Sequence, residues 1–145
     1  MPTVTLAFWD SSAFVKLLID EIGSDDAEAL WNDPGPTAAS RLVVPEVSAA
    51  LAAARRAGRL DEAAHRTAQR EWASYRDEVD FMELTPALAD RAAGLAVKHD
   101  LSGADAVHLA TALELRERSM IIATWDRRLA TAAVTERVVV VPEPA

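Results

Sequence analysis

The chain lacks cysteine altogether, which excludes disulfide bonds, thiolate zinc sites and cysteine nucleophiles. It also lacks an apolar run near the ~20 residues that cross a membrane, and its first residues lack the basic region of a signal peptide. We therefore expect a cytoplasmic protein without membrane contact. Half of the 145 residues are apolar and the length suits one hydrophobic core, so we expect a single domain over residues 1–145.

Positive charge is scarce as well. The 15 Lys and Arg residues face 23 Asp and Glu residues, which leaves a net charge of −8. A protein of this charge does not hold nucleic acid by bulk attraction to phosphate. A nuclease whose divalent cations supply positive charge locally is not excluded. Arg127 and Arg128 lie beside Asp126 and are interpreted first as solvent-exposed charges, with phosphate contacts as the alternative.

Several catalytic motifs are missing. The five glycines are scattered and form no phosphate-binding loop, the three histidines show no H-E-x-x-H spacing, and no serine lies in a G-x-S-x-G turn. These absences argue against phosphate-loop enzymes, zinc hydrolases and serine hydrolases. His108 lies three residues after Asp105, and we expect it to pack or to form a local hydrogen bond, with substrate contact as the alternative.

Short apolar segments alternate with helical ones along the chain. The predicted strands are 4–9, 37–42, 81–84, 120–124 and 138–141. The predicted helices are 11–22, 24–31, 45–57, 61–78, 86–99, 104–118 and 126–133. The second strand is a weak prediction, and the third could instead extend the helix before it. Because the other strands are almost wholly apolar and alternate with helices, the pattern favours a parallel sheet covered on both faces.

Four acidic residues stand near strand ends or helix starts. Asp10 directly follows the first strand, Asp126 lies two residues past Thr124, and Glu46 and Asp105 lie in the first turns of helices. The ligand site of an open parallel sheet lies beyond the carboxyl ends of its strands, although this rule alone does not place Asp105. Together the four carboxylates predict a site for Mg²⁺ or Mn²⁺ with oxygen ligands. Singly, each is better explained as a helix cap or a solvated charge.

Four segments that carry these acids occur in a characteristic order. They are FWDSSA at 8–13, VPEVSAAL at 44–51, LSGADAVHLATA at 101–112 and IATWDRRL at 122–129. In this order they resemble the four motifs of PIN-domain ribonucleases, and among these the VapC-type toxins of bacterial toxin–antitoxin pairs. The resemblance spans nearly the whole chain. It implies a PIN-like three-layer α/β fold, with a mainly parallel sheet of five strands in the order 3-2-1-4-5 flanked by helices.

The resemblance also implies an activity, which is metal-dependent endonucleolytic hydrolysis of RNA phosphodiester bonds. Asp10 and Asp105 are then the principal ligands of Mg²⁺, with Mn²⁺ as an alternative ion, and Glu46 and Asp126 complete the pocket. The hydroxyl groups of Ser12 and Thr124 would orient these carboxylates. The implied partners are an RNA substrate, a cognate VapB-type antitoxin and a second copy of the chain in a homodimer.

Three other interpretations remain open. The chain could be a catalytically degenerate PIN-like module that only binds protein. It could be a Mg²⁺-dependent phosphatase of another Rossmann-like fold, although Ser11 and Ser12 stand where such an enzyme usually carries its second acid. A receiver-like signalling domain would need a phosphorylatable Asp after the third strand, and residues 84–86 offer none.

Overall fold

The computed structural model describes residues 5–116 and 119–144. In these residues five strands alternate with seven helices. In chain order the elements are β1 (Leu6–Trp9), α1 (Ser11–Leu18), α2 (Ser24–Asn32), β2 (Thr37–Ser40), α3 (Val43–Arg56), α4 (Glu62–Arg76), β3 (Asp80–Met82), α5 (Pro86–His99), α6 (Gly103–Glu114), β4 (Met120–Ala123), α7 (Arg127–Thr135) and β5 (Val139–Val141).

The strands form one sheet in the order β3-β2-β1-β4-β5, and every neighbouring pair is parallel. The predicted strand order and the parallel sheet are therefore confirmed. β1 lies at the centre, where Phe8 is in register with Ala38 of β2 and Ile122 of β4. Because all strands run the same way, the residues that follow β1 and β4 emerge at the same edge of the sheet.

Two hydrophobic clusters cover the two faces of the sheet, which makes the three-layer arrangement. Alternate residues of β1 divide between them, with Phe8 in the cluster beneath α5, α6 and α7, and Trp9 in the cluster beneath α1 to α4. The second cluster contains a group of contacting aromatic rings, in which Phe14 lies 5.2 Å from Trp9 and 4.9 Å from Trp72 between ring centroids. These contacts hold the start of α1, and with it the end of β1, in place.

Several element boundaries differ from the prediction. Of the predicted strand 4–9, Val4 lies outside the described residues, as do residues 117–118 of the predicted helix 104–118. The predicted strand 37–42 ends at Ser40, where the chain turns into α3. α3 begins at Val43 and not at Pro45, since proline is tolerated within a first helical turn whose N–H groups have no intrahelical partner. Among the described residues, no helix combines the length and the apolar character that crossing a membrane requires.

Candidate functional site

Asp10 lies at the end of the central strand and also starts the helix that follows. Its side chain is the N-cap of α1, because Oδ1 accepts a hydrogen bond of 3.1 Å from the backbone N–H of Ala13. Only 2% of the residue is exposed. The sequence folds this way because a buried apolar strand is followed at once by a capping acid and two serines. The result is a carboxylate fixed in position at the carboxyl edge of the sheet.

Two hydroxyl groups also hold the Asp10 carboxylate. Ser12 donates a hydrogen bond of 2.7 Å to Oδ1, and Thr124 donates one of 2.8 Å to Oδ2. The same hydroxyls accept hydrogen bonds from the next strand–helix turn, since the backbone N–H of Trp125 donates to Ser12 and that of Asp126 donates to Thr124. Asp10 is therefore joined through two side chains to the loop that carries Asp126.

Burial and hydrogen bonding act on Asp10 in opposite directions. Burial raises the pKa of its carboxyl group above the usual value, while the hydrogen bond from Ser12, the positive charge of His108 and the hydrogen bond from Thr124 lower it. Burial dominates, so the structure as it stands does not fully compensate a negative charge on Asp10. A cation beside this carboxylate would restore that compensation.

Asp105 and Asp126 approach Asp10 from two different helices. Asp105 lies in the first turn of α6, where its backbone N–H donates to the capping hydroxyl of Ser102. Asp126 is the N-cap of α7 and accepts from the backbone N–H of Leu129. Burial and then the negative charge of Asp126 raise the pKa of Asp105 to about 6, with a smaller contribution from Asp10. Asp126 and Asp10 are therefore close enough to oppose the ionisation of Asp105.

Glu46 has a different partner. It lies in the first turn of α3, and its Oε1 is 2.5 Å from Nε2 of His108 on α6. The imidazole is 1% exposed and the Glu46 side chain 26% exposed. Burial alone lowers the pKa of His108, but the hydrogen bond and charge of Glu46 outweigh it and raise that pKa. The predicted local or packing role for His108 missed this contact, which joins residues 62 positions apart. The available signal was the spacing of three residues from Asp105.

The donor set suits a hard divalent cation, because carboxylate and hydroxyl oxygens are the ligands that Mg²⁺ and Mn²⁺ prefer. The opposition of Asp126 and Asp10 to the ionisation of Asp105 fits the same ion. Within residues 5–116 and 119–144, however, no three Asp, Glu or His side chains converge closely enough to enclose a metal ion as they stand. Ligation by several of these acids therefore requires side-chain rotation. Oε1 of Glu46 contacts His108 and Oδ1 of Asp126 caps α7, so within the described residues the second oxygen of each carboxylate has no protein donor.

Two clefts run along α7, and one of them reaches the acid Asp126. One has a volume of about 260 Å³ and is lined in part by Thr124, Asp126 and Arg127. The other has a volume of about 310 Å³, and His99, Arg127 and Arg128 contribute to its lining. Arg127 lines both clefts. Positive side chains therefore adjoin the carboxylate cluster, although the chain as a whole carries a net charge of −8.

Comparison with known proteins places this geometry in context. The family model described as PIN domain matches residues 7–134. Ribonuclease VapC45 of Mycobacterium tuberculosis is 47% identical over 128 residues, which cover 88% of this chain and 89% of that protein. The crystal structure of M. tuberculosis VapC20, a toxin that cleaves the sarcin–ricin loop, superposes with a TM-score of 0.66 at 21% identity, covering 87% and 94% of the two chains. A toxin–antitoxin complex from Klebsiella pneumoniae gives 0.58 at 21% identity, covering 83% and 86%. The two structures bear on the fold alone.

Proposed function

The chain belongs to the PIN-domain family, and we propose that it is a single-domain VapC-type endoribonuclease toxin that hydrolyses RNA phosphodiester bonds with Mg²⁺ or Mn²⁺ as cofactor. The identity of 47% to a named ribonuclease over most of both chains supports the substrate class. The observation that carries the chemistry is the group of three carboxylates at the carboxyl edge of the sheet, formed by Asp10, Asp105 and Asp126. Burial first, and then the negative charges of Asp126 and Asp10, raise the pKa of Asp105 to about 6. A divalent ion beside these carboxylates would offset their negative charges.

In this proposal the four acids have different roles in binding the metal ion. Asp10 and Asp105 are the principal ligands, and Glu46 and Asp126 complete the pocket directly or through water. A divalent ion held by these carboxylates would supply an activated water and positive charge beside the scissile phosphate. Glu46 and Asp126 each have one structural partner, His108 and the N–H of Leu129, whereas Asp10 is held by a backbone N–H and two hydroxyl groups.

The hydroxyls of Ser12 and Thr124 keep the Asp10 carboxylate in one orientation. Since both also accept backbone hydrogen bonds from the turn before α7, they fix the distance between Asp10 and Asp126 as well. The RNA strand approaches through the cleft lined by Thr124, Asp126 and Arg127. Arg127 and Arg128 then contact phosphates that flank the cleaved bond.

The proposal includes a cognate VapB-type antitoxin as partner, a homodimer as assembly and the cytoplasm as compartment. The toxin–antitoxin complex among the structural neighbours supports the antitoxin. The phosphatase alternative is disfavoured because the position of its second acid is held by Ser12, whose hydroxyl group is occupied by Asp10. A protein-binding module without catalysis is the alternative that an activity measurement decides.

The experiment compares two Asp→Asn substitutions. Asp10→Asn removes a charge from the proposed site but keeps a capping side chain, since Asn and Asp cap helices about equally well. Asp61→Asn does the same at α4, where Asp61 caps the helix through a hydrogen bond of 2.7 Å to the N–H of Ala64. We expect Asp10→Asn to lose most Mn²⁺-dependent cleavage of total RNA and Asp61→Asn to keep it.

Both variants should retain the helical circular dichroism spectrum of the wild type. Equal cleavage by the folded Asp10→Asn variant and the wild type would contradict the site. A wild type that cleaves no RNA with Mn²⁺ or Mg²⁺, but binds a protein partner, would identify the chain as a degenerate module. Mapping the cut ends would also identify the RNA.

A further inference from the structure

His108 is a buried polar side chain that the proposed chemistry does not use. It lies on α6 one turn after Asp105, and its ring is 1% exposed. Nε2 is 2.5 Å from Oε1 of Glu46, and Nδ1 has no hydrogen-bond partner among the described residues. A buried imidazole nitrogen without a partner is costly, so the position is not explained by packing alone.

The contact joins two elements that each carry a proposed metal ligand. Glu46 lies in the first turn of α3 and Asp105 in the first turn of α6. A glutamate side chain has three rotatable bonds, so a carboxylate at the surface end of such a chain samples several orientations unless something holds it. His108 restrains the Glu46 carboxylate by contacting its Oε1. In the described part of the chain, no protein group donates a hydrogen bond to Oε2 of Glu46.

We propose that His108 is a positioning residue that holds Glu46 by Oε1 and thereby presents Oε2 to the divalent cation. This inference rests on the proposed function. In this proposal His108 itself touches neither RNA nor metal, because its ring is only 1% exposed. Its effect on metal binding passes through Glu46, just as hydrogen-bonded partners of metal ligands generally act through the ligand that they orient.

The proposal requires a donor at the position of Nε2, and this separates it from a role in filling space. Gln carries its amide nitrogen at about the reach of Nε2, whereas the amide of Asn ends near the position of Nδ1. Leu fills a comparable volume and donates nothing. The set His108→Gln, His108→Asn and His108→Leu therefore varies the donor within one pocket.

The experiment measures Mn²⁺ affinity by calorimetry without RNA, in these three variants, in Glu46→Gln and in the double variant with His108→Leu. We expect His108→Leu and His108→Asn to weaken Mn²⁺ binding about tenfold, the lower end of the range for such partners. His108→Gln should stay near the wild type. In the Glu46→Gln background, His108→Leu should cause no further loss, because the side chain it acts through is already changed.

Three results would overturn the proposal: His108→Leu binding Mn²⁺ like the wild type, His108→Gln binding as weakly as His108→Leu, or His108→Leu causing the same loss with and without Glu46→Gln. Melting in EDTA verifies that each variant is folded. If His108→Leu does not fold, the comparison of His108→Gln with His108→Asn decides.

Asp10→Asn in the same assay separates this inference from the proposed function. If the wild type binds Mn²⁺ and Asp10→Asn does not, the metal site stands and only the role of His108 is at issue. If the wild type binds no Mn²⁺, the cofactor and the role of His108 are refuted together.

Discussion

The four carboxylates of the candidate site differ in what already contacts their oxygens. Asp10 accepts hydrogen bonds from one backbone N–H and two hydroxyl groups, Asp126 accepts one from the backbone N–H of Leu129, and Glu46 contacts His108. Asp105 is half-buried and faces the charges of two other acids. The four residues share one functional group, a carboxyl. Their burial, hydrogen bonds and neighbouring charges therefore decide which of them exchanges a proton for a metal ion near neutral pH.

Asp105 gives a prediction for pH dependence. Its pKa is about 6 in the folded chain against an ordinary value of 3.8, so the folded state keeps the proton after the unfolded state has released it. Metal-free stability should therefore fall as pH rises from about 4 through 6. Mn²⁺ competes with the same proton, so its stabilising effect should grow over that interval, towards about 2.7 kcal/mol at a hundredfold excess over Kd.

Melting temperatures between pH 4.5 and 7.5, in EDTA and in Mn²⁺, test this prediction in the wild type and in Asp105→Asn. The variant should lose most of the Mn²⁺ effect and part of the pH slope in EDTA. Asp105 also raises the pKa of His108, so the difference between the two curves reports Asp105 together with its effect on His108. Identical slopes and identical Mn²⁺ effects would show that Asp105 neither holds a displaced proton nor binds the ion.

The residues of the site were predictable from sequence to different degrees. Asp10 follows an apolar strand directly, so its place at the sheet edge follows from strand direction. The contact between Glu46 and His108 was not predictable, because it depends on how α3 packs against α6, and periodicity relates only residues of one helix. The resemblance to PIN domains brought the four acids together, and nothing local in the sequence does so for Asp105.

At the scale of helices, two acids of the candidate site also cap the helices that they precede. Asp10 and Asp126 are both N-caps, as the simplest interpretation of each acid expected. The cap fixes the carboxylate against the start of its helix, and the positive end of the helix favours its negative charge. The capping explanation and the functional one are therefore compatible at these two positions. An interpretation of the sequence that treats the two roles as exclusive would leave these two acids out of the site.

Gly23, the residue before α2, gives a prediction at the same scale. Its φ is 98°, and a Cβ added there would lie 2.6 Å from Nε1 of Trp125. Gly23→Ala therefore combines backbone strain with displacement of the ring, and should destabilise the protein by about 1–3 kcal/mol. The backbone N–H of Trp125 donates to the hydroxyl of Ser12, which in turn holds Asp10. Displacement of Trp125 should therefore lower RNA cleavage as well.

Gly58 provides the matched control. Its φ of 78° imposes similar backbone strain, but an added Cβ there meets no atom within 4 Å. Urea denaturation should show a smaller loss for Gly58→Ala than for Gly23→Ala, with cleavage unchanged in the folded Gly58→Ala protein. Equal losses of stability in the two variants would mean that the contact with Trp125 is without energetic effect and that strain alone operates.

Elements were predictable where composition was decisive. β4 and β5 are rich in branched apolar residues and were found within one residue of the prediction. β2 has the sequence TAAS, whose small side chains favour no structure strongly, and it ended two residues earlier than predicted. There the hydroxyl of Ser40 accepts a hydrogen bond from the N–H of Leu42, which turns the chain out of the strand into α3.

At the scale of the whole molecule, the sheet topology brings residues that are far apart in the sequence close together in space. The alternation of apolar strands and helices predicted a covered parallel sheet from the residues themselves, but the order of its strands came from the resemblance to a family. A right-handed crossover rule leaves several orders open for five strands. The order β3-β2-β1-β4-β5 places β1 between β2 and β4, and this places Asp10 and Thr124 on adjacent strand ends.

The charge distribution of the whole molecule also predicts how a partner inhibits it. A net charge of −8 and a group of opposed carboxylates favour a cationic segment over an acidic one. Arginine suits this pocket, because its planar guanidinium group forms two hydrogen bonds to one carboxylate. We therefore expect the proposed antitoxin to place an Arg or Lys near the four acids, Asp10, Glu46, Asp105 and Asp126, and to displace the metal ion while blocking RNA.

Synthetic antitoxin segments in which each Arg or Lys is changed to Ala test this expectation. One substitution should reduce both inhibition of cleavage and displacement of Mn²⁺ by about tenfold or more, since charge pairs in a desolvated pocket contribute strongly to binding. The parent segment should also bind Asp105→Asn less tightly than the wild type. Inhibition that survives every substitution would place the essential contacts away from the acids. Tight binding without displacement of Mn²⁺ would show that the antitoxin acts by covering the RNA path along α7.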